Sequence, residues 1–178
     1  MKNLICVFLY LLPLSAPSQQ LSEKYSIYIQ GGFISSLYVK EAMFKHIVSE
    51  THSHHHACPI LSAGFQWNIS NKWRVGPTFS YDHFGLKDRS VEYNVLSYLL
   101  RCDRIWKETK KINFYSGLSL GVRTLKQFEN ENLIEHNLMP GYHIYLIGTE
   151  FNIKQFAFDL NVGIGTSGIV NLGGKYRF

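Results

Sequence analysis

The stretch "HIVSETHSHHHACP" gathers His46, His52, His54, His55 and His56, with Glu50 between them and Cys58 just beyond. Neutral imidazole is the usual protein ligand for zinc, copper and nickel. His52, His54, His55 and His56 are therefore the candidate metal ligands. A defined zinc site needs four ligands fixed about a tetrahedron, with outer partners to orient them. Consecutive histidines in a loop offer no such spacing. The expectation is loose Zn²⁺ or Cu²⁺ binding, micromolar or weaker, with no resident cofactor. A second set of residues is spread along the chain: Arg74, Asp82, Glu92, Arg123, Glu150, Asp159, Lys175 and Arg177, charges of both signs among small polar neighbours. Brought together, they would form ion pairs that neutralise a closed interior, since an unpaired buried charge is costly. A gated ion path or an acid–base carboxylate pair is the alternative use of the same residues.

These residues must be positioned by strands. After residue 20 no segment sustains a helical period, whereas period-two alternation occurs over about 25–39, 57–69, 73–84, 91–105, 112–124, 141–152, 154–164 and 168–178. In "KQFAFDLNVGIG", Phe156, Phe158, Leu160, Val162 and Ile164 share one face, and Ala157, Asp159, Asn161 and Gly163 share the other. The short turns "SNK", "KETKK" and "NIK" alternate with other connections, among them longer loops over 40–56 and 125–140. An up-and-down antiparallel meander with two unlike rims follows. The opening "MKNLICVFLYLLPLSAPSQQ" has the layout of a secretory signal peptide, expected over 1–18, leaving a single β-barrel domain over 19–178. The chain is 46% hydrophobic, yet its mean hydropathy is −0.08, so apolar residues are dispersed rather than collected into helical spans. Basic residues are scattered without a block, which gives no nucleic-acid footprint.

A soluble barrel turns its apolar face inward around a ligand, whereas a membrane barrel turns it toward lipid. Here the polar face carries glycine, serine, asparagine and isolated charges, which suits a narrow lumen better than a water-facing surface. Aromatic residues stand where the strands meet the short turns: Tyr25, Trp67, Trp73, Trp106, Phe114 and Phe151, with Phe156, Tyr176 and Phe178. That is an aromatic girdle at a membrane interface.

With these features the chain resembles the small eight-stranded outer-membrane β-barrels of Gram-negative bacteria, over about 25–178. The resemblance implies an all-β, eight-stranded antiparallel up-and-down transmembrane barrel in the outer membrane. It is porin-like in its wall, but the lumen is filled by side chains rather than open. It also implies that the last strand pairs with the first, and that Tyr176 and Phe178 are the assembly signal read by the barrel-assembly machinery. Some barrels of this kind modify lipid A with a serine or histidine site near the rim. His83, with Ser80 close by, His136 and His143 fall near the loop rim, but no serine–histidine motif of the deacylase type is present. The expected protein is thus a monomeric, non-enzymatic barrel, touching the bilayer and an unidentified extracellular partner through its loops. A lipid A enzyme and a barrel holding a small ligand or metal in its lumen are the alternatives. Cys58 and Cys102 should lie about 20 Å or more apart along the strands, too far for a disulfide. Strand 91–105 fits least well. If Val91, Tyr93 and Val95 face lipid, strict alternation puts Arg101 and Asp103 there too, so a bulge near Ser97 or an early exit into the interface is expected.

Overall fold

The computed structural model describes residues 24–33, 55–57, 60–86, 91–129 and 132–178. These form β1 (Tyr25–Phe33), β2 (His55–Ala57), β3 (Ile60–Ser70), β4 (Trp73–Leu86), β5 (Val91–Glu108), β6 (Ile112–Glu129), β7 (Asn132–Ile153), β8 (Phe156–Gly165) and β9 (Val170–Arg177). All pairings are antiparallel. β2 is a short piece that continues β3 along the same partner, β4. The wall therefore has eight staves, and pairings β1–β9 and β4–β5 close it. The closing seam reaches the terminal residue: Phe178 N–H donates to the Tyr25 carbonyl at 2.9 Å, and Tyr25 N–H returns the bond at 3.0 Å. Closure leaves no sheet edge in the lipid-facing band, where unpaired backbone groups could find no partner.

The faces are divided by chemistry. In β8 every second residue from Phe156 to Ile164 is exposed and every intervening one is buried. Ile27, Ile29, Leu100, Leu120, Leu160 and Leu172 all point outward, while serine, threonine, asparagine and charged residues fill the interior. An apolar outside around a polar core is the arrangement that lipid demands and water would not tolerate. Eight of the nine girdle residues, all but the half-buried Tyr176, are exposed around the turn end. Their rings touch: Phe156 and Tyr176 lie 4.9 Å apart, and Tyr25 and Phe178 lie 6.0 Å apart. A second set of exposed aromatics, Phe79, Tyr81, Tyr98 and Tyr142, lies toward the loop end.

Three local expectations change. Residues 125–140 are not a loop. β6 runs to Glu129 and β7 starts at Asn132, so they form a tall hairpin above the barrel wall. Toward the hairpin's tip the outer face rises out of the hydrocarbon band, and without a lipid side the apolar–polar alternation that marks a strand fades. Second, alternation in β5 is unbroken through Ser97, and Val95, Leu99, Arg101 and Asp103 all point inward. Val95 faces the lumen rather than lipid, and with Leu99 it supplies apolar surface to the interior. The bulge in this strand lies lower, between Ile105 and Lys107. Third, β7 carries a bulge between Tyr145 and Ile147, so that Leu146 and Ile147 are consecutively exposed, each at 56%. It resets the alternation and brings Glu150 into the lumen. The other long connection, 40–56, lies outside the described residues except for the backbone of His55 and His56, as does Cys58. Cys102 is a free, half-buried thiol.

Two glycines make room for lumenal tyrosines. Gly64 is the cross-strand partner of Tyr28, and Gly148 is that of Tyr115. A Cβ at Gly148 would overlap the Tyr115 ring itself, whose hydroxyl donates to Asp159 at 2.6 Å. Gly148→Ala must displace that ring and loosen its hydrogen bond. The expected cost is about 1–3 kcal/mol, the usual range for overpacking, read as a lower urea midpoint in detergent. Unchanged stability would show that the ring has room to move.

Candidate functional site

The lumen holds a cluster of charged side chains drawn from most of the wall. Glu150, on β7, is its centre. It accepts hydrogen bonds from Arg74 Nη1 at 2.6 Å, from Arg177 Nη2 at 2.6 Å and from Lys175 Nζ. Asn113 adds a weak contact at 3.4 Å. Asp103 accepts the Arg101 Nε–H across both oxygens, at 2.8 and 3.0 Å, and the Gln66 amide at 2.7 Å. Arg74 lies 3.7 Å from the same carboxylate, and Lys175 also donates to Gln66 at 2.9 Å. These bridges tie the two acids into one network. Asp159 accepts from Gln30 and Tyr115, each at 2.6 Å.

Arg101 is fully buried among three tyrosines. Its guanidinium lies 3.9 Å from the Tyr145 ring centre, 5.1 Å from Tyr28 and 5.4 Å from Tyr115. A weakly hydrated cation on electron-rich ring faces regains part of the solvation lost on burial. At the turn end a cavity beside Ser26, Arg74 and Arg177 measures about 10 Å³, room for about one water molecule. This part of the lumen is a plug of paired charge.

The candidate lumenal charges divide by height along the barrel. Arg74, Glu150, Lys175 and Arg177 come together, and Asp159 adjoins them through Tyr115, whose hydroxyl it accepts and whose ring lies 5.1 Å from Arg74 and 5.8 Å from Lys175. Asp82 is buried nearer the loop end, where Arg123 is half-buried. Glu92 does not face the lumen; it is exposed on β5, because in this strand the odd-numbered residues point inward. Arg101 and Asp103, the best-buried charge pair, were missed, as were Tyr28, Tyr145 and Gln66. The usable signal was the spacing itself: two opposite charges two residues apart on one strand must share a face.

The candidate catalytic residues are dispersed. Ser80 lies inside and is hydrogen-bonded by Ser62 at 3.0 Å. His83 pairs with Asn94 at 2.7 Å on the other face of the same strand. His143 is buried against Tyr145, ring centres 4.3 Å apart, and its Nδ1 accepts the Ser167 backbone N–H at 3.2 Å. His136 is exposed. Among the described residues no serine, histidine and acid stand in hydrogen-bonded sequence. His52 and His54 lie outside the described residues, and His55 and His56 are placed only as backbone on β2. No cluster of three or more metal-ligating side chains occurs among the described residues.

No protein-family model matches the sequence, and no curated protein matches it. The fold does have solved counterparts. The N-terminal β-barrel domain of Pseudomonas aeruginosa OprF superposes with a TM-score of 0.57 at 10% identity, covering 88% of this chain and 98% of that one. Ail, the attachment invasion locus protein of Yersinia pestis, superposes with a TM-score of 0.51 at 16% identity, covering 88% and 97%. The chain has the fold of the small, closed, eight-stranded transmembrane barrels of the Gram-negative outer membrane.

Proposed function

We propose that this barrel sits in the outer membrane as a non-enzymatic scaffold whose working surface is its loop end. The observation that carries this reading is the lumenal plug: Glu150 bound by Arg74, Lys175 and Arg177 occupies the space a diffusion channel would need. With the interior committed to structure, contact with other molecules falls to the exterior. The wall supports this assignment by its asymmetry. β4 to β7 continue above the level of the turn that joins β8 to β9, presenting a raised sheet on one side. Ail, which shares the architecture, is by its name an attachment protein, and a raised sheet is a surface on which a similar role could be built. The test compares lipid A mass spectra and planar-bilayer conductance for cells and membranes with and without the protein. Unchanged spectra and no unitary conductance are expected. Loss of one acyl chain in its presence would establish an enzyme instead.

The same reading assigns the terminal strand to assembly. Deleting Phe178 removes two closing backbone bonds, about 1–2 kcal/mol at ordinary net values. Insertion in cells should slow by more than that loss explains, measured by pulse-chase appearance of the folded gel band. Insertion at the normal rate would separate closure from recognition and remove the signal role of Phe178.

A further inference from the structure

On the outer face of the raised wall, strand register sets side chains in cross-strand tiers. One tier is His83, Asn94, Lys126 and His136, cross-strand neighbours from β4 to β7. The tier below it is Tyr81, Leu96, Thr124 and Leu138, and Tyr98 follows one step lower. Across these tiers runs a groove of about 460 Å³, floored below Lys126 and His136 by Tyr81, Leu96 and Tyr98 and bounded above them by Phe128. Its polar top is partly fixed: Asn94 Oδ1 meets His83 Nδ1 at 2.7 Å and accepts the Tyr81 hydroxyl at 2.9 Å. Lys126 and His136 take part in no salt bridge among the described residues. Glu92 stands one tier higher, opposite Phe128.

Height identifies what this groove meets. From the girdle residue Trp106 to Asn94 along β5, and from Phe114 to Lys126 along β6, is about twelve residues. At roughly 3.3 Å per residue and a tilt of about 40°, that is roughly 30 Å along the barrel axis, the thickness of a bilayer's hydrocarbon core. With the turn-end girdle at one interface, the Lys126 tier falls among the headgroups of the opposite leaflet. The aromatic and aliphatic floor falls among the acyl chains just below them. A lysine ammonium beside a hydrogen-bonding imidazole, above an apolar slot, is complementary to an anionic headgroup above its own chain.

We propose that this groove seats one phosphate-bearing anionic lipid, with its phosphate on Lys126 and His136 and an acyl chain along Leu96 and Tyr98. The inference rests on the membrane reading above. The two fail separately, because a barrel recovered in the outer membrane without lipid preference would sink only this one. The test is native mass spectrometry of the refolded full chain in detergent, titrated with dioleoyl phosphatidic acid, dioleoyl phosphatidylcholine or inorganic phosphate. Phosphatidic acid should bind at least tenfold more tightly than phosphatidylcholine, and millimolar inorganic phosphate should not displace it. Lys126→Gln with His136→Gln should cut the preference at least fivefold while the folded gel mobility is kept. Lys126→Gln alone, which spares the wall, should cut it about threefold. Equal binding of the two lipids, displacement by inorganic phosphate, or wild-type preference in a folded variant overturns the proposal.

Discussion

Glu150→Ala is expected to cost about 3–5 kcal/mol of barrel stability, the range for removing one partner from a buried ion pair. The reason is the count of cations left behind. Arg74, Lys175 and Arg177 all donate to this carboxylate. Arg74 and Lys175 are almost completely buried, so water cannot take its place. Asp103, 3.7 Å from Arg74, compensates in part, which argues for the lower half of the range. Arg177→Ala is the internal control. That side chain is at the mouth of the network, at 11% exposure, and its loss leaves Glu150 with Arg74 and Lys175, so it should cost clearly less than Glu150→Ala. Urea titration of the refolded barrel, read by gel mobility, gives both numbers. If the two variants are equally stable, the cluster is hydrated rather than sealed, and the plug does not exist in the form described.

Leu160→Arg should destabilise the barrel by roughly 2–4 kcal/mol, the penalty for a cation at the bilayer midplane. Leu160 lies near the middle of β8 and points outward, while its neighbours Asp159 and Asn161 are buried. The comparison variant is Phe156→Arg, at the turn-end girdle, where the same charge reaches headgroups and should cost at most about 1 kcal/mol. The measurement is reversible folding into lipid bilayers. A depth-independent penalty would mean that the exposed apolar face does not contact lipid.

Much of this fold could be read from β8 and β9, where lipid on one side and a packed lumen on the other enforce strict alternation. Where one of those constraints lapses, the pattern lapses with it. Toward the tip of the β6–β7 hairpin neither hydrocarbon nor a packed lumen constrains the two faces, and the continuation of the strands through 125–140 left little periodic trace. Bulges are a second source of error. Nothing in "YHIYLIGTEF" announces the step that exposes both Leu146 and Ile147, because six of its residues, Tyr142, Ile144, Tyr145, Leu146, Ile147 and Phe151, are apolar or aromatic and supply an apolar face in either register. β5 failed for a third reason. Val95 and Leu99 are apolar but lumenal, so hydrophobicity assigned the wrong face, whereas the fixed spacing of Arg101 and Asp103 pointed to the right one. The charge network was half legible for the same reason. Individual inward charges could be located strand by strand, but which ones meet depends on stagger around the barrel, and that is set by registers the sequence does not display.

The central claim is a closed barrel that crosses a membrane with its apolar face outward. Cell fractionation combined with electrophoresis of boiled and unboiled samples addresses it most directly. The chain should be recovered with the outer membrane and, unboiled, should run as a compact band that shifts on heating as the barrel opens. Recovery in the soluble periplasmic fraction, with a mobility unaffected by boiling, would contradict it.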